Sequence, residues 1–226
     1  MRSSALAVLL TLALAGAASA ETQRQLTVTG SAQVEAAPDL ATVTAGVETQ
    51  GGMAAEALRA NSAAMEGVLT ALETAKVARA DVQTSELSIN PVLDNPQDGS
   101  APAVTGYQAS NMVTVKVRDV ATLGAIIDAV TGAGANRLYG VGFDVADPKP
   151  VLDKARQEAV ADARRKAELF ATAAGVKLGA VLSISEGGGG GGPIPVFARA
   201  DMAKAAPVEA GTVSVSADVS LVYAIE

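Results

Sequence analysis

Carboxylates are the groups in this chain best able to move protons. Asp39, Glu48, Glu86, Asp144 and Asp218 fall at strand ends or on strand faces. Acid–base catalysis by two carboxyls needs them within roughly 5–10 Å of each other across a substrate. No spacing in the sequence makes any two of these five neighbours, so they read as solvated surface groups.

The other catalytic repertoires are absent by residue type. With no His and no Cys, the usual ligands for zinc, copper and iron are missing, as are Ser–His and Cys–His nucleophile pairs. No Gly-x-Ser-x-Gly elbow and no Ser-x-x-Lys pair occurs. The six glycines Gly187 to Gly192 are followed by Pro193 rather than by Lys-Ser or Lys-Thr at a helix start, so they read as a flexible linker and not a phosphate cradle. Asp94-Asn95-Pro96-Gln97-Asp98-Gly99 faintly resembles a calcium loop, but Pro96 stands at a ligand position and Thr105 where a bidentate Glu is required. The sequence therefore predicts no enzyme, no metal and no cofactor.

Two amides are more informative. Asn61 sits on the apolar stripe of a predicted helix, and Asn111 sits in the inward phase of a predicted strand. A buried amide costs about 1–3 kcal/mol unless its hydrogen bonds are met, so each is expected to clamp neighbouring backbone or to contact a small ligand or a second subunit.

The elements that would position these residues follow from periodicity. Leu26, Val28, Ala32 and Val34 alternate, Pro38-Asp39 turns the chain, and Ala41, Val43, Ala45 and Val47 alternate again, which reads as a hairpin. From Met53 to Lys76 the period becomes helical, with Ala54, Leu58, Asn61, Met65, Val68, Leu69 and Leu72 on one stripe. Val82 and Thr84 share one strand phase and Leu87 and Ile89 the other, which predicts a bulge at Ser85-Glu86. A long strand through Tyr107, Ala109, Val113 and Val117 follows, then a short helix capped by Asp119. Tyr139, Val141, Phe143 and Val145 are expected to share one strand face.

Asp147-Pro148 opens the longest helix, which closes at Gly175 and carries Ala155, Ala159, Ala163 and Ala167 as a small-residue stripe. Lys154 with Glu158, Asp162 with Lys166 and Arg164 with Glu168 are i, i+4 pairs that support it. Two strands end the chain, one with Leu178, Ala180, Leu182 and Ile184, the other running from Val213 to Tyr223. The order is ββαββαβαββ. It indicates an α+β fold of two layers, a mostly antiparallel sheet with helices on one face, and a duplicated βαββ unit running from about 41 to 118 and again from about 137 to 223.

Residues 1–20 have the order of a secretory leader: Arg2, the apolar run Leu6 to Leu14, then Ala18-Ser19-Ala20. That run is too short to span a bilayer, and no second stretch of about 20 apolar residues follows. The remaining chain, 24–226, is expected to form a single exported domain. Loss of Arg2 leaves 16 basic against 24 acidic side chains, a net charge of −8 against −7 for the whole chain. Such a surface repels nucleic acid. Zero Cys means the fold rests on its core rather than on disulfides. With no Trp, three Tyr and three Phe, stacking platforms for sugars or bases are not expected either.

Loops beyond about 12–15 residues are usually functional or disordered, and the segment 187–207 exceeds that length. Its half Pro193-Ile194-Pro195-Val196-Phe197, with Met202, is apolar enough to dock, either on its own domain or on a neighbouring subunit.

Several stretches together resemble the SIMPL-domain family. They are Val28-Thr29-Gly30, Pro38-Asp39, Asn61-Ser62-Ala63-Ala64-Met65, Val82-Gln83-Thr84-Ser85, Tyr107-Gln108-Ala109-Ser110-Asn111, Ala161 to Glu168, and Leu182-Ser183-Ile184-Ser185-Glu186. The resemblance spans nearly the whole chain after the leader, although the hexaglycine run departs from it. It implies an exported α+β protein of the periplasm, in places associated with the outer membrane, without established enzymatic activity. It also implies a link to oxidative-stress tolerance and assembly into ring-like or channel-like homo-oligomers. No catalytic residues come with it. Four Met remain beyond Met1 as oxidisable sulfur, so direct scavenging is a weak account of the stress link. The alternative reading is a periplasmic protein that binds a small molecule or peptide.

Overall fold

The computed structural model describes residues 24–94, 101–187, 194–196 and 209–226. The expected leader and most of the calcium-like loop lie outside them. The class is α+β with antiparallel pairing throughout, and the strands divide between two sheets, one covered on a face by two helices and the other by one.

The first sheet has the order β3-β4-β2-β5, made of β2 (Leu40–Gly51), β3 (Val82–Asp94), β4 (Ala103–Val117) and β5 (Arg137–Asp144). Helices α1 (Ala54–Thr74) and α2 (Leu123–Gly132) cover it. Its core is the alternating set Ala41, Val43, Ala45 and Val47 of β2 with Val113, Val115 and Val117 of β4, against Met65, Val68 and Leu72 of α1 and Leu123, Ile126 and Val130 of α2. Burying each of these larger side chains is worth ~1.5–3 kcal/mol. The predicted bulge is present, since pairing with β4 skips Ser85 between Thr84 and Glu86.

The second sheet has the order β1-β8-β6, with β1 (Gln25–Ala36), β8 (Thr212–Ile225), β6 (Leu178–Glu186) and a short β7 (Ile194–Val196) beside β8. One helix, α3 (Lys149–Ala174), packs on it. Ala155, Ala159, Ala163, Ala167 and Ala171 are all buried, so the small-residue stripe does bring the helix onto the sheet. Gly175 ends α3 in the left-handed conformation at φ 70°.

Two local readings change. β1 does not fold back on β2: it pairs with β8, from Gln25 opposite Ala224 to Ala36 opposite Val213. In β5, the register skips Gly140, which has φ 54°. This flips the strand phase, so Tyr139 lies opposite Thr44 on the outer face while Val141 and Phe143 pack on the core.

The duplication is visible with one exchange. In the first unit α1 covers β2 and β4, with β3 outermost. In the second, α3 covers β1 and β8, with β6 outermost. The second unit therefore takes its first strand from the N-terminus, and β5 sits instead at the edge of the first sheet.

Candidate functional site

Asn61 points from α1 onto the first sheet and is fully buried. Its Nδ2 donates to the Val47 carbonyl at 2.8 Å and to the Ala109 carbonyl at 3.1 Å, tying the helix to two adjacent strands. Two donated bonds fix the amide's orientation and leave Oδ1 buried without a donor among the described residues. Asn111 is half-buried opposite Val47 on β4, and its Oδ1 is likewise buried without a partner among the described residues. The structure thus brings both predicted amides to one neighbourhood under α1. Amides supply hydrogen bonds, not proton transfer, so the pair can hold something in place but cannot turn it over.

The carboxylates are partly brought together. Leu40 pairs with Asp144, which sets Asp39 beside that strand end. Both acids cap backbone there: Asp39 Oδ1 accepts from Ala146 N at 2.6 Å and Asp144 Oδ1 from Val145 N at 2.7 Å. Glu48 faces Arg137 at 3.4 Å, Glu86 accepts from Ser88, and Asp218 lies opposite Ser31 on another sheet. Among the described residues no group of three or more acidic side chains is placed to hold a metal ion.

Sequence reasoning missed a clamp between α3 and the open side of β1. Asp162 accepts the Ser31 backbone N–H at 3.2 Å, and Lys166 donates to the Thr29 carbonyl at 3.0 Å. These residues were legible only as an i, i+4 pair, which they also form at 2.7 Å. The Lys166 ammonium first, then Arg165 and the Ser31 N–H, hold the Asp162 carboxyl far below the usual carboxylate range. Between the clamped groups lies Gly30, where a Cβ would meet Ala163 Cβ at 2.7 Å. Side-chain bonds to an open strand edge make it a poor template for further pairing. A second missed pair joins Asp81 to Arg118 by two bonds of 2.7 and 2.8 Å, and this fork lowers the Asp81 pKa.

The outermost strands are less protected. α1 stops short of β3, leaving a groove of about 430 Å³ floored by Leu72, Val77 and Val82 and walled by Glu66, Leu69 and Glu73. Leu69, expected in the core, is 43% exposed there. α3 stops short of β6 in the same way, leaving about 500 Å³ between Val160, Leu178, Val181 and Ile184. Leu182 and Ile184, expected on one packed face, are exposed because β6 is bulged and its helix does not reach it. Neither groove is lined by Asn61 or Asn111.

Of the apolar loop, Ile194, Pro195 and Val196 form β7 and pair with Ser214, Val213 and Thr212 of the same chain. Pro193, Phe197 and Met202 lie outside the described residues. No helix among the described residues is long and apolar enough to cross a membrane.

A family model described as SIMPL, a protein of unknown function (DUF541), matches residues 26–223. The chain is 35% identical over 212 residues to the 26 kDa periplasmic immunogenic protein of Brucella melitensis, covering 89% of this chain and 85% of that protein. It is 32% identical over 185 residues to the uncharacterized protein YggE of Escherichia coli K12, covering 82% and 74% respectively. The YggE of Edwardsiella ictaluri is 32% identical over 155 residues.

Proposed function

Because this chain belongs to the SIMPL family, we propose that it is an exported, non-enzymatic protein of the periplasm that works by assembling with copies of itself. The relative from Brucella melitensis carries the word periplasmic in its name, and the leader-like N-terminus agrees with that compartment. The observation that carries the assembly reading is the pair of outer strands left uncovered by the described residues. Leu87 on β3 and Ile184 on β6 are 61% and 65% exposed, and long edges of this kind are normally covered by something. The segment 187–207 and the strand edges are the proposed contacts, with Ile194 to Val196 already lying along β8.

Assembly also gives the stress link an indirect route, through envelope integrity rather than oxidant chemistry. Light scattering on the purified mature protein across a dilution series tests the proposal. A multimer that persists on dilution supports it, and a monomer at every concentration removes it.

A second reading, binding of a small molecule or peptide at Asn61 and Asn111, is favoured by their two buried acceptors, which have no donor among the described residues. It requires a ligand from envelope extract that raises the melting temperature of the wild type but not of Asn111→Ala.

A further inference from the structure

The two grooves are equivalent positions in the duplicated units, yet they differ in charge. On the α1 side, Glu66 and Glu73 are exposed on one helix face two turns apart, about 10 Å along the axis. Neither takes part in an ion pair among the described residues. Between and below them lie exposed Leu69 and the apolar floor of Leu72 and Val82. Thr70, Thr84 and Arg79 complete the lining, so the groove has an apolar floor, a polar rim and two Glu against one Arg, a net negative charge.

The opposite combination stands on α3. Leu169 lies seven residues from Asp162 and so on the helix flank that clamps β1. It is 58% exposed, and Phe170 beside it is 50% exposed. Arg165, one turn before Leu169, is 67% exposed. Its only ion-pair partner among the described residues is Asp162, a carboxylate that Lys166 and the Ser31 N–H already engage. An exposed pair of this kind is easily exchanged, so Arg165 is free to turn to a new carboxylate while Asp162 stays satisfied. This surface is a convex apolar ridge carrying positive charge.

We infer that the groove between α1 and β3 receives the Arg165–Phe170 flank of α3 from a second copy of this chain. Leu169 and Phe170 then cover Leu69 and the groove floor, and Arg165 lies between Glu66 and Glu73. This deepens the self-assembly reading and rests on it. The two surfaces are different patches of one subunit, so the contact is head-to-tail and repeats from copy to copy. Such a contact closes as a ring when the rotation allows and otherwise runs on as a helical array.

Charge exchange tests it, read by light scattering across a dilution series at low salt, with melting temperature as the folding control. The double variant Glu66→Lys/Glu73→Lys is expected to shift the multimer to monomer, with association weakened at least ~10-fold, and Arg165→Glu is expected to do the same. Glu66 and Glu73 are exposed and form no ion pair among the described residues, so their reversal should leave the monomer's melting temperature unchanged. Arg165→Glu also removes a hydrogen bond to Asp162, so it is compared with Arg165→Gln, which lowers the melting temperature without reversing the charge and should weaken association less. Combining the three substitutions restores opposite charges across the contact and should return the multimer. If the wild type assembles and neither charge reversal weakens it, the groove contact is overturned while self-assembly stands. If both reversals dissociate it but the combination regains nothing, the pairing of these two surfaces is overturned. A wild type that is monomeric throughout overturns the assembly reading and this contact with it.

Discussion

Gly30 lies beneath Ala163 with no room for a side chain: a Cβ on the glycine would fall 2.7 Å from the alanine Cβ. The alanine stripe of α3 and the glycine of β1 are two halves of one contact, and either alone reads as unremarkable composition.

Gly30→Ala should force α3 away from β1 and cost ~1–3 kcal/mol, the usual range for overpacking. For a chain of this size that lowers the melting temperature by about 2–12 °C. Gly124→Ala in α2 meets nothing within 4 Å and should gain ~0.5–1 kcal/mol from helix propensity. Opposite signs for the two substitutions in thermal melts are the expected result.

Asn61→Ala removes both donors to the Val47 and Ala109 carbonyls. The expected loss is ~2–3 kcal/mol, measured by urea unfolding. A variant within 0.5 kcal/mol of wild type would show that the clamp contributes nothing.

The clamp on β1 is sensitive to acid. The Asp162 pKa is lower in the folded state than in the unfolded one. Its contribution is therefore complete above the unfolded value near ~4 and is lost as pH falls through the folded value. Asp81, lowered by Arg118, acts in the same direction. Wild-type stability should fall from pH 5 toward pH 2, and Asp162→Asn should be less stable at pH 7 with a shallower acid decline. Parallel curves for the two proteins would contradict this.

Deleting Gly187 to Ala206 removes β7 but should preserve the rest of the fold, read by circular dichroism, and abolish the multimer. An unchanged mass would remove that segment from the assembly contacts.

Local patterns were legible where neighbours in sequence decide the outcome. Alternation gave the inward faces of β1, β2, β4 and β8, and the phase change at Ser85 gave its bulge. Partner choice was not legible. Two alternating runs joined by Pro38-Asp39 look like a hairpin whichever strands they later pair with, and the partner of β1 lies at the far end of the chain. Tyr139 was misassigned because a positive φ at Gly140 reverses the alternation without changing composition. Leu69 and Ile184 have core chemistry but lie where a helix ends its reach, a distance no periodicity encodes. Asn61 stood out because an amide on an apolar stripe must be satisfied, whereas Asp162 and Lys166 did not, since a helix supplies a sufficient local reason for both.

The pairing of β1 with β8 also orders events in time. A chain delivered N-terminus first presents residue 25 long before residue 224, its partner, so the second sheet cannot close until β8 arrives. Until then β1 has no strand to pair with, and the alanine stripe of α3 faces only part of its seat. Closing the sheet thus reports whether β8 has been made: a product truncated before β8 leaves α3 and two strands open to proteolysis, and one that includes β8 ties the far end of that strand to the start of β1, with Ile225 N donating to Arg24 O at 3.1 Å.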